Sequence, residues 1–299
     1  MNKIINADAL EAMRTLPDSC CRTCITSPPY YGLRDYGTAG QIGLEDTPDQ
    51  YIENLVKIFR EVRRVLKDDG TLWVNIGDSY TQKNLNGIPW LLAFALRSDG
   101  WYLRSDIIWQ KPNAMPESVK DRPTRAHEYI FLLSKSSRYF YDAEAVKEPA
   151  VGFYNAAPAG SAGTGKPNAR RRGNSRTFRG GGAYTHDRAQ NNSATVERES
   201  HGLTPNESGK RNRRSVWTIA TRPYKGAHFA TFPEELVRPC ILAGSRPGDT
   251  VLDPFAGSGT TGAVAAQEGR DFIGIEINPD YCEIIRQRLD ACCQKGAKP

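Results

Sequence analysis

TVLDPFAGSGTTGAVAAQEGRDFIGIE, residues 250–276, reads as a strand, a glycine-containing loop, a helix and a second strand. Thr250–Asp253 is apolar enough for a buried strand, PFAGSG follows, Thr260–Glu268 predicts a helix and Asp271–Glu276 another strand. A strand that turns through glycines into a helix permits close backbone approach. It also offers free N–H groups at the helix start, which is what a nucleotide-type cofactor needs. The loop is neither G-x-G-x-x-G nor Gly-Lys-Ser/Thr, so nicotinamide and P-loop readings fit poorly. A bare Gly-x-Gly would be an ordinary βα turn. The full run Asp253-Pro254-Phe255-Ala256-Gly257-Ser258-Gly259-Thr260-Thr261 is far more specific. Glu276 ends the next strand, where an acid can accept both ribose hydroxyls of an adenosine.

The same alternation runs through the N-terminal half. KIIN, ADALEAMRTL and CRTCIT read as strand, helix and strand, and SPPY at 27–30 ends the last of them, because prolines cannot donate to a ladder. The clearest helix covers 48–66. Thr47 is its N-cap, Pro48 its first residue and Gln50 completes a capping box, with Asp69-Gly70 as the stop. Strands at Thr71–Ile76, Asp106–Trp109 and Tyr129–Leu133 and a helix at Pro89–Arg97 follow, and Pro279–Cys292 is a final amphipathic helix. Strands alternating with helices predict an α/β fold, a mostly parallel sheet covered by helices.

Composition narrows the class. Apolar residues make up 39% of the 299, lean for a globular domain, so part of the chain is expected to lie outside the core. The net charge of +6 is unevenly spread: residues 151–215 hold 12 basic and 4 acidic side chains. That basic segment, rich in Gly, Arg, Asn and Ser, suits a surface meeting a polyanion, and a solvated basic linker is the plainer alternative. The boundaries read as 1–149, 150–215 and 216–299. Seven cysteines, an odd number without a disulfide pattern, suit a reducing compartment. Cys21-Arg22-Thr23-Cys24 has half the spacing of a zinc site and no partner pair, so these thiols are read as small core residues and no metal is expected. MNKIINADALEAM lacks the pattern of a signal peptide and no apolar run could span a bilayer, so a cytoplasmic protein without a membrane is expected.

Ser27-Pro28-Pro29-Tyr30 follows an apolar strand, and here the sequence resembles a known family. D/N/S-P-P-Y/F marks methyltransferases acting on amino groups, and D-P-F-x-G-x-G-T marks the cofactor loop of the DNA amino-methyltransferases. LKDDGTLWVNIGDSY at 66–80, Ile108–Lys111, His127-Glu128 and HFATFPEEL at 228–236 are similar as well. The order, catalytic motif before cofactor motif, resembles the permuted β group of that family, including its solitary prophage-type enzymes. The resemblance implies a Rossmann-like S-adenosylmethionine-dependent fold with helices on both faces and circularly permuted motif order, and residues 150–215 as the target-recognition insertion.

It also implies roles. Ser27 and the carbonyl of Pro28 accept hydrogen bonds from the target amine, Pro28 and Pro29 hold these acceptors rigid, and Tyr30 stacks on the extruded base. Asp8 contacts the cofactor adenine, although Ala7 stands where the family has Gly. Phe229 and Thr231 hold the methionine end, Phe255 and Gly257 line the methionine and adenosine side, and Asp253, Ser258, Gly259, Thr260 and Glu276 complete the cofactor site. His228 and His127 are read as scaffold histidines. Arg170, Arg171, Arg172, Arg176 and Arg179 are assigned to double-stranded DNA. A homodimer is guessed, and a restriction partner is left open.

An aromatic amine is a poor nucleophile because its lone pair is delocalised. Fixed acceptors favour a pyramidal nitrogen aimed at a sulfonium methyl, so positioning does most of the work. A base inside a duplex cannot reach such a site, so base flipping follows. The cues for the base conflict: Ser27 points to cytosine N4, while SPPYYGLRDYG resembles enzymes that look adenine-specific. The reading favours adenine N6 narrowly, with cytosine N4 the alternative. An RNA or protein-glutamine methyltransferase and a non-enzymatic DNA-binding module are the competing readings. The intact motifs argue against the module, and the permuted order and basic insertion against the other two substrates.

Overall fold

Thr47 begins the longest helix of the N-terminal half because its hydroxyl accepts from the Gln50 N–H at 3.3 Å and Pro48 needs no donor partner in the first turn. Tyr51, Leu55, Phe59 and Val62 then form one apolar face, fully buried. The computed structural model describes residues 2–150, 208–222 and 232–296. The elements in chain order are β1 (Lys3–Asn6), α1 (Ala9–Arg14), β2 (Cys21–Thr26), α2 (Pro48–Val65), β3 (Leu66–Ile76), β4 (Tyr80–Thr81), β5 (Asn84–Leu85), α3 (Ile88–Ser98), β6 (Tyr102–Gln110) and β7 (His127–Ser134). They continue with β8 (Glu148–Pro149), β9 (Lys210–Arg211), β10 (Val216–Thr218), α4 (Glu234–Gly244), β11 (Thr250–Asp253), α5 (Thr260–Gln267), β12 (Asp271–Glu276) and α6 (Pro279–Gly296).

Two compact units result, Met1–Lys147 with Asn212–Pro299, and Glu148–Arg211. Within the second, β8 pairs antiparallel with β9 and Arg211 meets Glu148 at 2.9 Å. The first unit is built on an eight-stranded sheet in the order β1-β12-β11-β2-β3-β7-β6-β10. Every neighbouring pair is parallel except those of β7, which runs against β3 and β6. Helices cover both faces. Met13, Leu55 and Leu92, from α1, α2 and α3, enter one core cluster, while Val237, Val264 and Ile285, from α4, α5 and α6, enter the other. Burial on both faces explains the unbroken apolar character of Leu72, Trp73 and Val74 in β3. The expected mostly parallel α/β sheet with helices on both faces is therefore present.

Some boundaries differ from those the sequence suggests. Asp69-Gly70 does not stop the helix: α2 ends at Val65, and Leu66 already pairs with Cys21. The register then slips between Cys21 and Thr23, a bulge that absorbs the polar residues 67–70. A Cβ at Gly70 would lie 2.9 Å from the Arg22 carbonyl, so this glycine serves close packing of β3 on β2. β6 and β7 are longer than expected because each ladders along the other. α4 carries little local signal, as its N-cap lacks a side-chain bond and Pro239 interrupts it. The β4–β5 hairpin is equally unmarked; it turns through Gln82 and Lys83, both at positive φ. Cys21, Cys24, Cys240 and Cys282 are buried as small core residues. Among the described residues no helix is long and apolar enough to cross a membrane.

Phe272 in β12 is fully buried, and a Cβ placed at Gly262 of α5 would lie 2.6 Å from its ring. Gly262→Ala should therefore destabilise the protein by about 1–3 kcal/mol, despite alanine's better helix propensity. Chemical denaturation checks this, and an unchanged or raised midpoint would show that the ring can move.

Candidate active site

In a sheet of this kind ligands bind beyond the carboxyl ends of the strands, where neighbouring connections leave toward opposite faces. Here that place lies between β11 and β2, which pair through Val251–Thr23 and Leu252–Cys24. The two motifs quoted from the sequence thus leave adjacent strands, although 226 residues separate Ser27 from Asp253. A cleft of about 990 Å³ opens along this edge, within the first unit. Asp8, Ser27, Pro28, Pro29, Tyr30, Phe255, Gly257, Ser258, Thr260 and Glu276 all line it.

Asp253 and Gly259, expected among the cofactor residues, are not in its lining. Asp253 lies beneath the loop, 1% exposed. Its Oδ1 accepts from the Thr26 hydroxyl at 2.6 Å and the Phe255 N–H at 3.1 Å, and its Oδ2 from the Thr261 hydroxyl at 2.8 Å. Burial pushes its pKa up to about 6, and the two hydroxyls and the N–H only partly offset this. Gly259 has φ 79° at the start of α5, and a Cβ there would meet Ile285 at 3.0 Å. Both residues shape the loop from below. Arg288 of α6, which the sequence did not single out, joins them: its Nη1 reaches the Ser258 carbonyl at 2.8 Å, Ser258 Oγ at 3.2 Å and Thr260 Oγ1 at 3.3 Å.

Glu276 closes the far side of the loop. Its Oε2 accepts from the Gly257 N–H at 2.8 Å and its Oε1 from the Asn278 N–H at 2.9 Å. Burial raises its pKa above the usual carboxylate value while these two N–H groups pull it back. A carboxylate has about four acceptor positions, and the Ile277 N–H also acts on this one, so acceptor capacity remains for a hydroxyl donor in the cleft. Asp8 caps α1, its Oδ1 accepting from the Leu10 and Glu11 N–H groups at 2.9 and 3.1 Å. Phe229, Thr231 and His228 lie outside the described residues, as do Arg170, Arg171, Arg172, Arg176 and Arg179.

The Ser27–Tyr30 end is held by residues from α2, β3 and β7 and by Lys111, just past the end of β6. Tyr51 of α2 donates to the Pro29 carbonyl at 2.7 Å, fixing the turn. Tyr30 donates its phenolic proton to Glu128 Oε2 at 2.7 Å. Asn75 Nδ2 directs its two protons among three acceptors, the Tyr30 oxygen at 2.7 Å, Glu128 Oε2 at 3.0 Å and Ser27 Oγ at 3.3 Å. The Lys111 ammonium pairs with Glu128 Oε1. Burial raises the Tyr30 phenol well above its ordinary pKa and the Glu128 carboxylate adds to this, so the ring is neutral. Asn75 Oδ1 is buried without a partner. The ring lies close against the Gly77 backbone: a Cβ there would lie 2.6 Å from Tyr30 Cε2. Asn75, Gly77, Lys111 and Glu128 carry no motif of their own. Their segments were recognisable as 66–80, 108–111 and 127–128, but their function as supports of Tyr30 was not. His127 packs edge-on against Tyr129 at the cleft wall.

The sequence matches the N6/N4 methyltransferase family, described as DNA methylase, over residues 21–287. It is 47% identical over 315 residues to Type II methyltransferase M.Cfr9I of Citrobacter freundii, covering 96% of this chain and 87% of that protein. It is 45% identical over 316 residues to Type II methyltransferase M.SmaI of Serratia marcescens, covering 96% and 90%. The fold is similar to that of the PvuII DNA methyltransferase, cytosine-N4-specific, with TM-score 0.66, 19% identity and 98% and 91% of the two chains covered. It is also similar to a DNA modification methylase from Thermus thermophilus complexed with S-adenosyl-L-methionine, with TM-score 0.63, 22% identity and 98% and 94% covered.

A raised pKa at Asp253 has a definite sign in stability. The folded protein holds this proton more tightly than the unfolded chain, so ionising Asp253 opposes folding. The effect is absent below about pH 4, grows as pH rises, and is complete above about pH 6. Asp253→Asn should remove roughly 3 kcal/mol of that pH dependence. The check is the difference in unfolding free energy between the two proteins from pH 4 to 7; parallel curves would show that Asp253 titrates normally.

Proposed function

The chain belongs to the N6/N4 family of DNA methyltransferases, and on that premise we propose that this cleft transfers a methyl group from S-adenosylmethionine to the exocyclic amine of a flipped base in double-stranded DNA. The observation that carries the reading is the adjacency of two differently equipped halves in one cleft. One half has acidic acceptors and a glycine loop, and the other a rigid Ser-Pro-Pro-Tyr turn.

The first half fits the cofactor by its donor and acceptor set. Glu276 retains acceptor positions for ribose hydroxyls, Asp8 presents a carboxylate at the cleft wall, Phe255 offers an aromatic face, and Gly257 leaves the backbone open. Phe229 and Thr231 are assigned to the methionine end by resemblance. Asp253, Gly259 and Arg288 hold the loop rather than touch the ligand. When bound, S-adenosylmethionine supplies an electrophilic methyl on a sulfonium.

The second half holds the amine. Ser27 Oγ receives the Asn75 amide proton at 3.3 Å, which leaves its remaining lone pair for a substrate N–H. The Pro29 carbonyl is taken by Tyr51, so the Pro28 carbonyl is the acceptor left to the amine. Two fixed acceptors draw both N–H bonds to one side and pyramidalise the nitrogen, freeing its lone pair. Tyr30, neutral and clamped by Glu128 and Asn75, presents a ring face on which an extruded base stacks. The proline-fixed acceptors need little reorganisation as charge develops.

For the base, we favour cytosine N4 over the adenine that the sequence narrowly suggested. The adenine cue came from the stretch continuing past Tyr30. Tyr31 turns away to contact the Tyr51 ring at 5.6 Å and the Asp46 carbonyl at 3.3 Å. Gln41 folds the loop onto itself, accepting from Tyr36 N at 2.7 Å, and burial raises the Tyr36 phenol above its ordinary pKa. Ser27 is the side-chain acceptor at the Ser-Pro-Pro-Tyr turn itself, held there by Asn75.

Nucleoside mass spectrometry of mixed-sequence duplex DNA treated with enzyme and S-adenosylmethionine should show N4-methylcytosine. N6-methyladenine would overturn the choice of base and keep the reaction; neither product would overturn both. Gly77→Ala should lower turnover by at least about tenfold by displacing the Tyr30 ring, with cofactor affinity measured by calorimetry unchanged. Equal turnover would show that the ring position is unimportant. Replacing Arg170, Arg171 and Arg172 together should weaken DNA binding and flatten its salt dependence, read as the slope of log affinity against log salt. An unchanged slope would make the basic segment a linker.

A further inference from the structure

We propose that Met115 is the wedge that enters the duplex as the target base leaves it. The proposal rests on the base-extruding reaction above and names the group that fills the vacated stack. A single exposed apolar side chain is ordinary by itself. Here its place and its anchoring carry the argument. Met115 lines the same cleft as Tyr30, yet it is 85% exposed, the highest among the large hydrophobic residues described as exposed.

The segment that carries it is held at both ends. The Lys111 N–H donates to the Ala126 carbonyl at 2.8 Å and closes the neck. On one side of Met115, Asn113 donates to the Thr221 carbonyl at 3.0 Å and accepts the Thr221 N–H at 2.9 Å. On the other side, Glu117 accepts from Arg122 at 2.5 Å, and the Arg122 and Arg125 guanidinium groups lie 4.2 and 5.2 Å from the centre of the Tyr80 ring. Arg125 also donates to the Asp78 carbonyl. Ala114, Met115 and Pro116 therefore project between two fixed points, so little order would have to be imposed on this tip when DNA arrives.

The chemistry of the rim suits a duplex. Lys120, five residues past Met115, is exposed, and so is Lys83, which pairs with Asp121 at 3.0 Å and could exchange that partner for a phosphate. An unbranched thioether is polarizable and adapts to an aromatic face. Apolar side chains, methionine among them, are the groups that enter base steps and offset lost stacking. Tyr30 would receive the base on the inner side of the cleft while Met115 replaces it on the outer side.

The test compares Met115→Ala and Met115→Phe with the unsubstituted protein on short synthetic duplexes carrying the position located by mass spectrometry and sequencing. In one duplex the target base is paired and in the other it faces a mismatched partner, which already loosens it. Met115→Ala should lower kcat/KM on the paired duplex by on the order of tenfold and on the mismatched duplex by less than about twofold. Met115→Phe should retain activity on both. Equal losses on the two duplexes, or no loss on the paired one, would overturn the wedge. If the unsubstituted protein methylates neither duplex, the reaction itself is misread and the wedge falls with it.

Discussion

A buried carboxylate joins the two halves of the cleft. Asp253 ends β11, and through Thr26 it holds the last residue of β2, the strand that delivers the Ser-Pro-Pro-Tyr turn. Through the Phe255 N–H and the Thr261 hydroxyl it also sets the path of the glycine loop and the start of α5. Three donors around one carboxyl group make it tolerable in a nearly solvent-free position, where an unpartnered one would be costly. The spacing of the glycine loop and the Ser-Pro-Pro-Tyr turn is thereby set by short hydrogen bonds. That matters for a reaction in which alignment of two reacting atoms supplies much of the acceleration.

The other half of the site depends on the single reversed strand. β7 runs against β3 and β6, so its first residues, His127 and Glu128, stand at the edge where the parallel strands end. Glu128 there meets Tyr30 and Asn75, while Lys111, just past the end of β6, balances its charge. Had β7 been parallel, its start would lie at the opposite edge and Tyr30 would lack this acceptor. The Tyr30 ring is constrained from the side as well, by the bare backbone of Gly77. The position of the Tyr30 ring thus rests on the end of β3, a reversed strand and the end of β6, not on the motif alone.

Local patterns made much of this legible. Hydrophobic periodicity located most strands and helices, because burial on one or both faces leaves its period in the sequence. The glycine loop and the proline turn were visible because their backbone demands restrict which residues can occupy them. Errors fell where tertiary context overrode local signals. Asp69-Gly70 looks like a helix stop, yet a bulge against β2 carries these residues into β3. α4 lacks a side-chain cap and contains Pro239, and is stabilised instead by packing of Leu236, Val237 and Ile241 in the second core cluster. Motif membership marked Asp253 without revealing its partners Thr26 and Thr261, because those bonds form only once β2 and α5 lie beside β11.

The sequence by itself determined the alternating architecture, the two motifs and the type of chemistry each could support, because these follow from side-chain identity and spacing over a few residues. Tertiary structure decided which residues meet. Adjacency of β2 and β11, the reversal of β7, and the convergence of Asn75, Glu128 and Lys111 on Tyr30 are set by pairing between strands far apart in the chain. No local pattern records such pairings, since each strand is compatible with several neighbours until the whole sheet closes.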